Sequence, residues 1–319
     1  MSRTTRYLAG HTGLVGSALA RRWTGQPSVQ LVTATHAELE LTDAPAVQAW
    51  LEEHRPDELV IAAGKVGGIA ANASEPAAFL YENLMMEANL IRGAWQIGVR
   101  RLLNFGSSCM YPRSCPQPMR PEHLMTGPME PTSEPYAMAK WIGLSLCQSH
   151  NRQHGTRFIT AIPCTVYGPG DHVDPHTAHV LSALIRKCHE AKVQGERTVT
   201  LWGTGTARRE FVYADDLAEA CDALLARYDG EEPVNIGSGA ACTIRELAEL
   251  VADVVGFQGE IRWDGSKPDG APEKRLDASV IHELGWAART PLRLGVERTY
   301  RWFLEREAQQ TGKVACASS

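Results

Sequence analysis

The stretch "RYLAGHTGLVGSALARRW", Arg6 to Trp23, constrains the fold more than any other part of the chain. An apolar run ends at Gly10, Gly13 and Gly16 follow at equal spacing, and a helical pattern begins at once. A strand that turns into a helix this tightly opens a βαβ unit. In such a turn Gly10 permits the sharp bend and Gly13 lets a pyrophosphate approach the backbone, while Gly16 lets helix and strand pack closely. The spacing is G-x-x-G-x-x-G rather than G-x-G-x-x-G.

The alternation continues. "VQLVTAT", "ELVIAAG", "RLLNFGS" and "RFITAIP" read as further strands. Helical patterns separate them, including "AFLYENLMMEANLIRGAWQIG" and "PYAMAKWIGLSLCQSHNRQHG". Short apolar runs alternating with helices predict an α/β fold, a doubly wound parallel Rossmann sheet. After about Gly168 the pattern is more broken, with strands at "TVTLWG", "EPVNIG" and "EIRWD" between helices. A smaller α/β C-terminal domain is therefore expected. Residues 1–168 are expected to form the NAD(P)-binding domain, with a segment near 208–236 returning to it, and 169–319 to form most of a second, nucleotide-sugar-binding unit.

Composition narrows the function classes. The net charge of −5 gives no basic footprint for nucleic acid and no polybasic membrane patch. No apolar run is long enough to span a bilayer, and no secretory leader is evident. The eight cysteines are scattered singly, which argues for a reducing cytoplasm rather than a disulfide framework or zinc site. The densest histidine group is "HVDPHTAH", with His172, His176 and His179. Only Asp174 accompanies it at ligand spacing, so no metal is expected.

"PYAMAK" places Tyr136 and Lys140 four apart on one helix face. An ammonium beside a phenol favours the phenolate, so the Tyr136 pKa is expected below about 10, suiting it to acid chemistry near neutral pH. A Y-x-x-x-K pair alone is common on exposed helices. Here a glycine turn lies upstream, and Ser107, at the end of the "RLLNF" strand, lies between them in the chain. Cys109 follows two residues later, on the same face as Ser107 if extension continues. A lone cysteine is usually a small buried hydrophobe, as expected for Cys147, Cys188 and Cys221. His54, His150 and His282 are expected to be ordinary structural histidines.

The end of the second strand should read the adenosine ribose, an acid there favouring NAD and a base NADP. "TATHAELELTD" puts Thr35 and His36 at that end. His36 could meet a 2′-phosphate and Asp43 could face the adenine. NADP(H) is favoured and NAD is possible.

The glycine loop, Ser107 and the Tyr136/Lys140 pair resemble the extended short-chain dehydrogenase/reductase family. "AAGKVGGI", "GSSCMYP", "EPYAMAK", "YGPGDH", "HTAHV", "WGTGTARREFVYADD", "CTIRELAE" and "SKPDGAPEKRLD" resemble its GDP-L-fucose synthase branch from Arg6 to about Leu304. The resemblance implies a GDP-4-keto-6-deoxy-D-mannose substrate, epimerised at C3 and C5 and reduced at C4. It implies Cys109 as base and His179 as opposing acid, with Ser107 and Tyr136 stabilising enolate oxygen. Cofactor contacts are implied at Leu14, Val15, Lys140, Pro163, Val166 and His179. Lys187, Trp202, Arg209 and Asp269 are implied to hold the nucleotide diphosphate and nucleoside. The helices around Tyr81–Ile97 and Tyr136–His150 are implied to pair in a homodimer bundle.

Three positions depart from that pattern. Thr12 and Ala34 stand where the branch often carries arginines, which removes contacts to a 2′-phosphate. Thr165 replaces an asparagine near the substrate, leaving room for a different nucleotide-linked 4-ketosugar. A nucleotide-sugar C4-epimerase or 4,6-dehydratase shares the glycine loop and Tyr/Lys pair. Dehydratases, however, usually carry an acidic pair where Ser108 and Cys109 stand. A non-catalytic dinucleotide sensor would not need Ser107, Tyr136 and Lys140 together.

Overall fold

The structure, a computed structural model, describes residues 3–174, 178–267 and 269–317, with side chains except at 69, 70 and 310–317. Its first half runs β1 (Thr4–Ala9), α1 (Leu14–Trp23), β2 (Val29–Val32), α2 (Ala44–His54), β3 (Glu58–Ile61), α3 (Ile69–Ser74), α4 (Pro76–Gln96), β4 (Arg101–Phe105), α5 (Glu134–His154) and β5 (Phe158–Pro163). The second half runs β6 (Thr165–Tyr167), α6 (Val180–Gln194), β7 (Thr198–Trp202), β8 (Arg208–Tyr213), α7 (Ala214–Arg227), β9 (Val234–Ile236), β10 (Ala241–Thr243), α8 (Ile244–Val255), β11 (Glu260–Asp264), β12 (Glu273–Lys274), α9 (Ser279–Glu283) and α10 (Leu292–Ala317).

Six parallel strands form the main sheet in the order β2-β1-β3-β4-β5-β9. The period of two divides each strand between the two faces. On β1, Leu8 joins the core built with α1 and α7, while Tyr7 and Ala9 join the core with α2 and α4. Val60 of β3 follows Leu8, and its neighbours Leu59 and Ile61 follow Tyr7 and Ala9. Helices cover both faces, so the strands bury nearly every side chain, as parallel sheets require. β1 lies between β2 and β3, and chain order reverses there. That crevice, at the carboxyl ends of the strands, is where an open α/β sheet takes its ligand.

A second core gathers α6, β7, β8, α8 and α10 around Leu184, Val199, Phe211, Leu247 and Phe303. α8 is fastened at both ends. Thr243 and Glu246 cap its first turn reciprocally, and Gly256, at φ +76°, closes its last. β8 pairs with β6, β10 and β12 in a small sheet, and β7 pairs with β11. α7, β9 and α9 return to the first core, which also takes Leu276 and Trp286. Glu210 on β8 ties the two regions, accepting from Gly239 N at 2.7 Å and from Leu276 N at 2.9 Å. Among the described residues no helix is long and apolar enough to cross a membrane.

Candidate active site

The glycine turn sits at the mouth of α1 beside the switch point. Gly10 has φ +83°, and a Cβ there would lie 2.5 Å from Ala63 backbone. At Gly16 a Cβ would lie 2.0 Å from Gly10 O, so α1 can reach β1 only with hydrogen at that position. Gly13 differs, because its nearest protein atom would be Gly10 O at 3.7 Å. The fold does not need a glycine at 13; a Cβ there would fill open space at the helix mouth. His11 Nδ1, inside the same turn, is buried with no hydrogen-bond partner. An open helix N-terminus and an orphaned polar atom fit a pyrophosphate-bearing ligand. Leu14 and Val15 open α1 and pack against the first core.

β4 ends at Phe105, and Ser107 remains extended at φ −149°, ψ 146°. Extension then stops. Residues Ser108–Met110 form a 3-10 turn, so Cys109 does not reach Ser107's face through strand alternation. The turn itself brings them together, with Cys109 N donating to Ser107 Oγ at 3.2 Å.

Cys109 is half-buried, and Lys274 Nζ lies 3.7 Å from its Sγ. Burial works against the thiolate. The Lys274 charge and the hydroxyls of Ser107 and Ser133 outweigh it and hold the thiol below its ordinary pKa. Lys274 arrives by strand pairing, since β12 lies parallel to β8 with Lys274 beside Arg209. Lys274 acts on Cys109, and the Cys109 charge in turn acts to raise the Arg209 pKa. No sequence periodicity marks Lys274; its one trace is the string "SKPDGAPEKRLD".

His179 stands just before α6, its Nδ1 3.4 Å from Asp171 Oδ1. Asp171 is buried and further held by Ser182 Oγ at 2.5 Å and His172 N at 2.8 Å. Burial disfavours the imidazolium, but Asp171, helped by the Cys109 charge, lifts the His179 pKa above its ordinary value. Sequence reasoning missed Asp171, visible only as the acid in "YGPGDH".

Tyr136 and Lys140 do share a face of α5, with Lys140 Nζ 5.9 Å from the Tyr136 ring centre. The expected fall in the Tyr136 pKa does not occur. Burial raises it, Lys140 opposes, the charges of Cys109 and Glu87 raise it further, and the Ser107 hydroxyl lowers it only in part. Burial is the largest cause, and the Lys140 charge that opposes it is itself engaged beneath the pair. Lys140 Nζ donates to Glu87 Oε1 at 2.5 Å, and both side chains are buried. Burial alone would lower Lys140, and Glu87 more than offsets it. Tyr136 is thus held as a phenol, a proton donor rather than a base.

The remaining expected residues divide. Pro163 ends β5 and Val166 lies in β6, near the same strand ends. Lys187 lies half-buried on α6. Arg209 feels Cys109, Asp269 and Glu130, and burial lowers its pKa. Trp202 is 60% exposed, with Lys267 Nζ 5.6 Å over its ring. Asp269 is engaged by Thr204, accepting from its N–H at 2.7 Å and its hydroxyl at 2.8 Å. Asp43 caps α2 through Ala46 N at 3.0 Å. His36 is exposed and pairs with Glu40 at 3.0 Å. Among the described residues no three His, Cys, Asp or Glu side chains form a metal site, and His176 lies outside them.

A parallel sheet with a glycine turn at its switch point, beside a serine, tyrosine and lysine, defines a class of dinucleotide-dependent enzymes acting at a carbonyl carbon. The sequence matches the model of the NAD dependent epimerase/dehydratase family over residues 7–237. It is 49% identical to GDP-L-fucose synthase 1 of Arabidopsis thaliana, over 94% of this chain and 93% of that one. It is 44% identical to GDP-L-fucose synthase of Escherichia coli, over 98% of this chain and 100% of that one. A solved GDP-mannoheptose C4 reductase from Campylobacter jejuni, with NADP bound, superposes with a TM-score of 0.85 at 33% identity, covering 95% of this chain and 99% of that one. The chain belongs to the NAD dependent epimerase/dehydratase family.

Proposed function

We propose that this protein is an NADP(H)-dependent bifunctional enzyme that epimerises GDP-4-keto-6-deoxy-D-mannose at C3 and C5 and reduces C4, yielding GDP-L-fucose. Its likeness to GDP-L-fucose synthases over nearly the whole chain supports the substrate. One observation carries the bifunctional reading: the Lys274 ammonium lies 3.7 Å from the Cys109 thiol and the Asp171 carboxylate 3.4 Å from the His179 imidazole, so a base and an acid each stand against a counter-charge. Reduction at C4 needs a hydride and one proton donor, whereas that pair adds a base and an acid for proton transfer at carbon.

A 4-ketone acidifies the hydrogens at C3 and C5. Cys109 removes a proton from one face, and His179 returns one from the other. Ser107 and Tyr136 donate to the enolate oxygen as charge develops there. Tyr136, kept a phenol by burial and by the Glu87 pairing of Lys140, then protonates the C4 oxygen. The dinucleotide supplies hydride to C4 when bound. Gly10, Gly13, Leu14, Val15 and Gly16 hold its pyrophosphate region, and Pro163, Val166, Lys140 and His179 border its nicotinamide end. Residues 169–319 supply most of the nucleotide-sugar site, with Lys187 and Arg209 on the diphosphate, Trp202 near the base, and Asp269 shaping the turn over it. The enzyme acts in the cytoplasm as a homodimer joined through α4 and α5.

In deuterated water with GDP-4-keto-6-deoxy-D-mannose, Cys109→Ser should lose at least about 100-fold of exchange at C3 and C5 while still binding dinucleotide. Wild-type exchange in that variant would remove Cys109 from the reaction. NMR of the wild-type product distinguishes GDP-L-fucose from a C4-reduced, unepimerised sugar.

A further inference from the structure

The adenosine ribose of a dinucleotide in this fold meets the end of β2, about 20 residues beyond the glycine turn. Selection for NADP there needs cations, since the 2′-phosphate is a dianion best held by arginine forks. Between Trp23 and His54 the chain has no lysine or arginine, and the glycine turn has none either. His36 is the one basic residue on the β2–α2 connection before His54, and its Nε2 is 3.0 Å from Glu40. Glu38 lies beside it. Its Oε2 accepts from Thr35 N at 2.7 Å and Thr35 Oγ1 at 2.8 Å, so both Thr35 donors are taken. Those hydrogen bonds also hold Glu38 ionised, with His11 close enough to contribute. Lys65, after β3, is engaged by Glu75 at 2.8 Å and Glu82 at 3.1 Å. The ribose end of the crevice therefore presents two carboxylates, a histidine already paired with one of them, and His11 beside the other.

We infer that the adenosine 2′-phosphate adds little to binding here, so that this NADP(H)-dependent enzyme accepts NADH with nearly the same affinity as NADPH. Carboxylates at this position suit a ribose 2′-hydroxyl, which can donate to them, and a 2′-phosphate finds no free cation there. This inference rests on the dinucleotide-dependent reading above and adds to it which dinucleotides the site accepts.

Isothermal titration of the whole protein with NADPH and with NADH tests it without turnover. The expected ratio of dissociation constants is within about tenfold, less than one charge-assisted hydrogen bond contributes. A larger preference for NADPH overturns the inference. The double variant Thr12→Arg, His36→Arg should tighten NADPH by more than about tenfold beyond any change in NADH, because each new guanidinium can fork onto the phosphate. If NADPH affinity in that variant does not change, the 2′-phosphate does not lie at this end and the inference falls. If neither dinucleotide binds wild type, the dinucleotide reading itself fails, an outcome distinct from a strong NADPH preference.

Discussion

Cys109 and His179 each lie against a partner of opposite charge, and that arrangement sets how the proposed epimerisation responds to pH. The thiol must be deprotonated to act as base. Lys274 outweighs burial and lowers its pKa, so the acidic limb of the exchange rate falls below the ordinary thiol range. The imidazole must be protonated to act as acid. Asp171 raises its pKa, so the basic limb moves above the ordinary histidine range. Lys274→Met removes the ammonium and leaves the burial penalty. The acidic limb should then move upward, and exchange near neutral pH should drop at least about tenfold, the effect of one pKa unit. The pH profile of deuterium uptake at C3 and C5 reads this directly, and an unmoved acidic limb would show that Lys274 does not govern the thiol. Tyr136 obeys the same logic with the opposite outcome. Burial outweighs the Lys140 charge, which is itself paired with Glu87, and the phenol stays protonated, as a donor to a ketone oxygen must be.

At the scale of the element, the glycine turn separates two demands that its spacing presents alike. Gly16 serves packing, because a Cβ there would meet Gly10 O at 2.0 Å. Gly13 leaves room for what approaches the helix mouth, with nothing of the protein nearer than 3.7 Å. Gly16→Ala should destabilise the chain by roughly 1–3 kcal/mol through overpacking. Gly13→Ala should leave the melting temperature almost unchanged yet weaken dinucleotide binding at least about tenfold by filling space the ligand uses. Thermal denaturation beside a binding titration separates the two. Equal melting losses in both variants would refute the division.

At the scale of the whole molecule, α4 and α5 leave an unusual surface. Tyr81 is 60% exposed and Trp95 37%, and Leu84, Met85, Met138 and Ile142 are half-exposed nearby in sequence on the same two helices. Trp95 stacks on His154 with ring centres 4.4 Å apart. Apolar side chains left exposed along one pair of helices suit an interaction surface. In the proposed homodimer the partner's α4 and α5 cover it. Sedimentation equilibrium should give twice the chain mass of 34.9 kDa, and Tyr81→Glu with Trp95→Glu should return a folded monomer. A wild-type monomer would dismiss the pairing.

The parallel sheet, its helices and the glycine turn were legible in the sequence because each depends on local periodicity. Leu8 faces one core and Tyr7 the other by strand alternation alone, and Tyr136 and Lys140 share a face by helical spacing alone. β6, β10 and β12 escaped notice because three residues or fewer carry no period, while the equally short β9 showed only within the longer apolar run "EPVNIG"; β8, six residues of mixed charge and apolar side chains, was missed as well. Ser107, Tyr136 and Lys140 could be named from local patterns, and Cys109 and His179 from resemblance. Their charge states could not. Lys274 reaches Cys109 through the register of β12 on β8, Asp171 reaches His179 around a turn, and Glu87 reaches Lys140 from a different helix. The sequence determined which reactive groups exist and which local elements hold them. Tertiary structure alone decided which proton each group keeps, because that depends on burial and on charges brought together from distant parts of the chain.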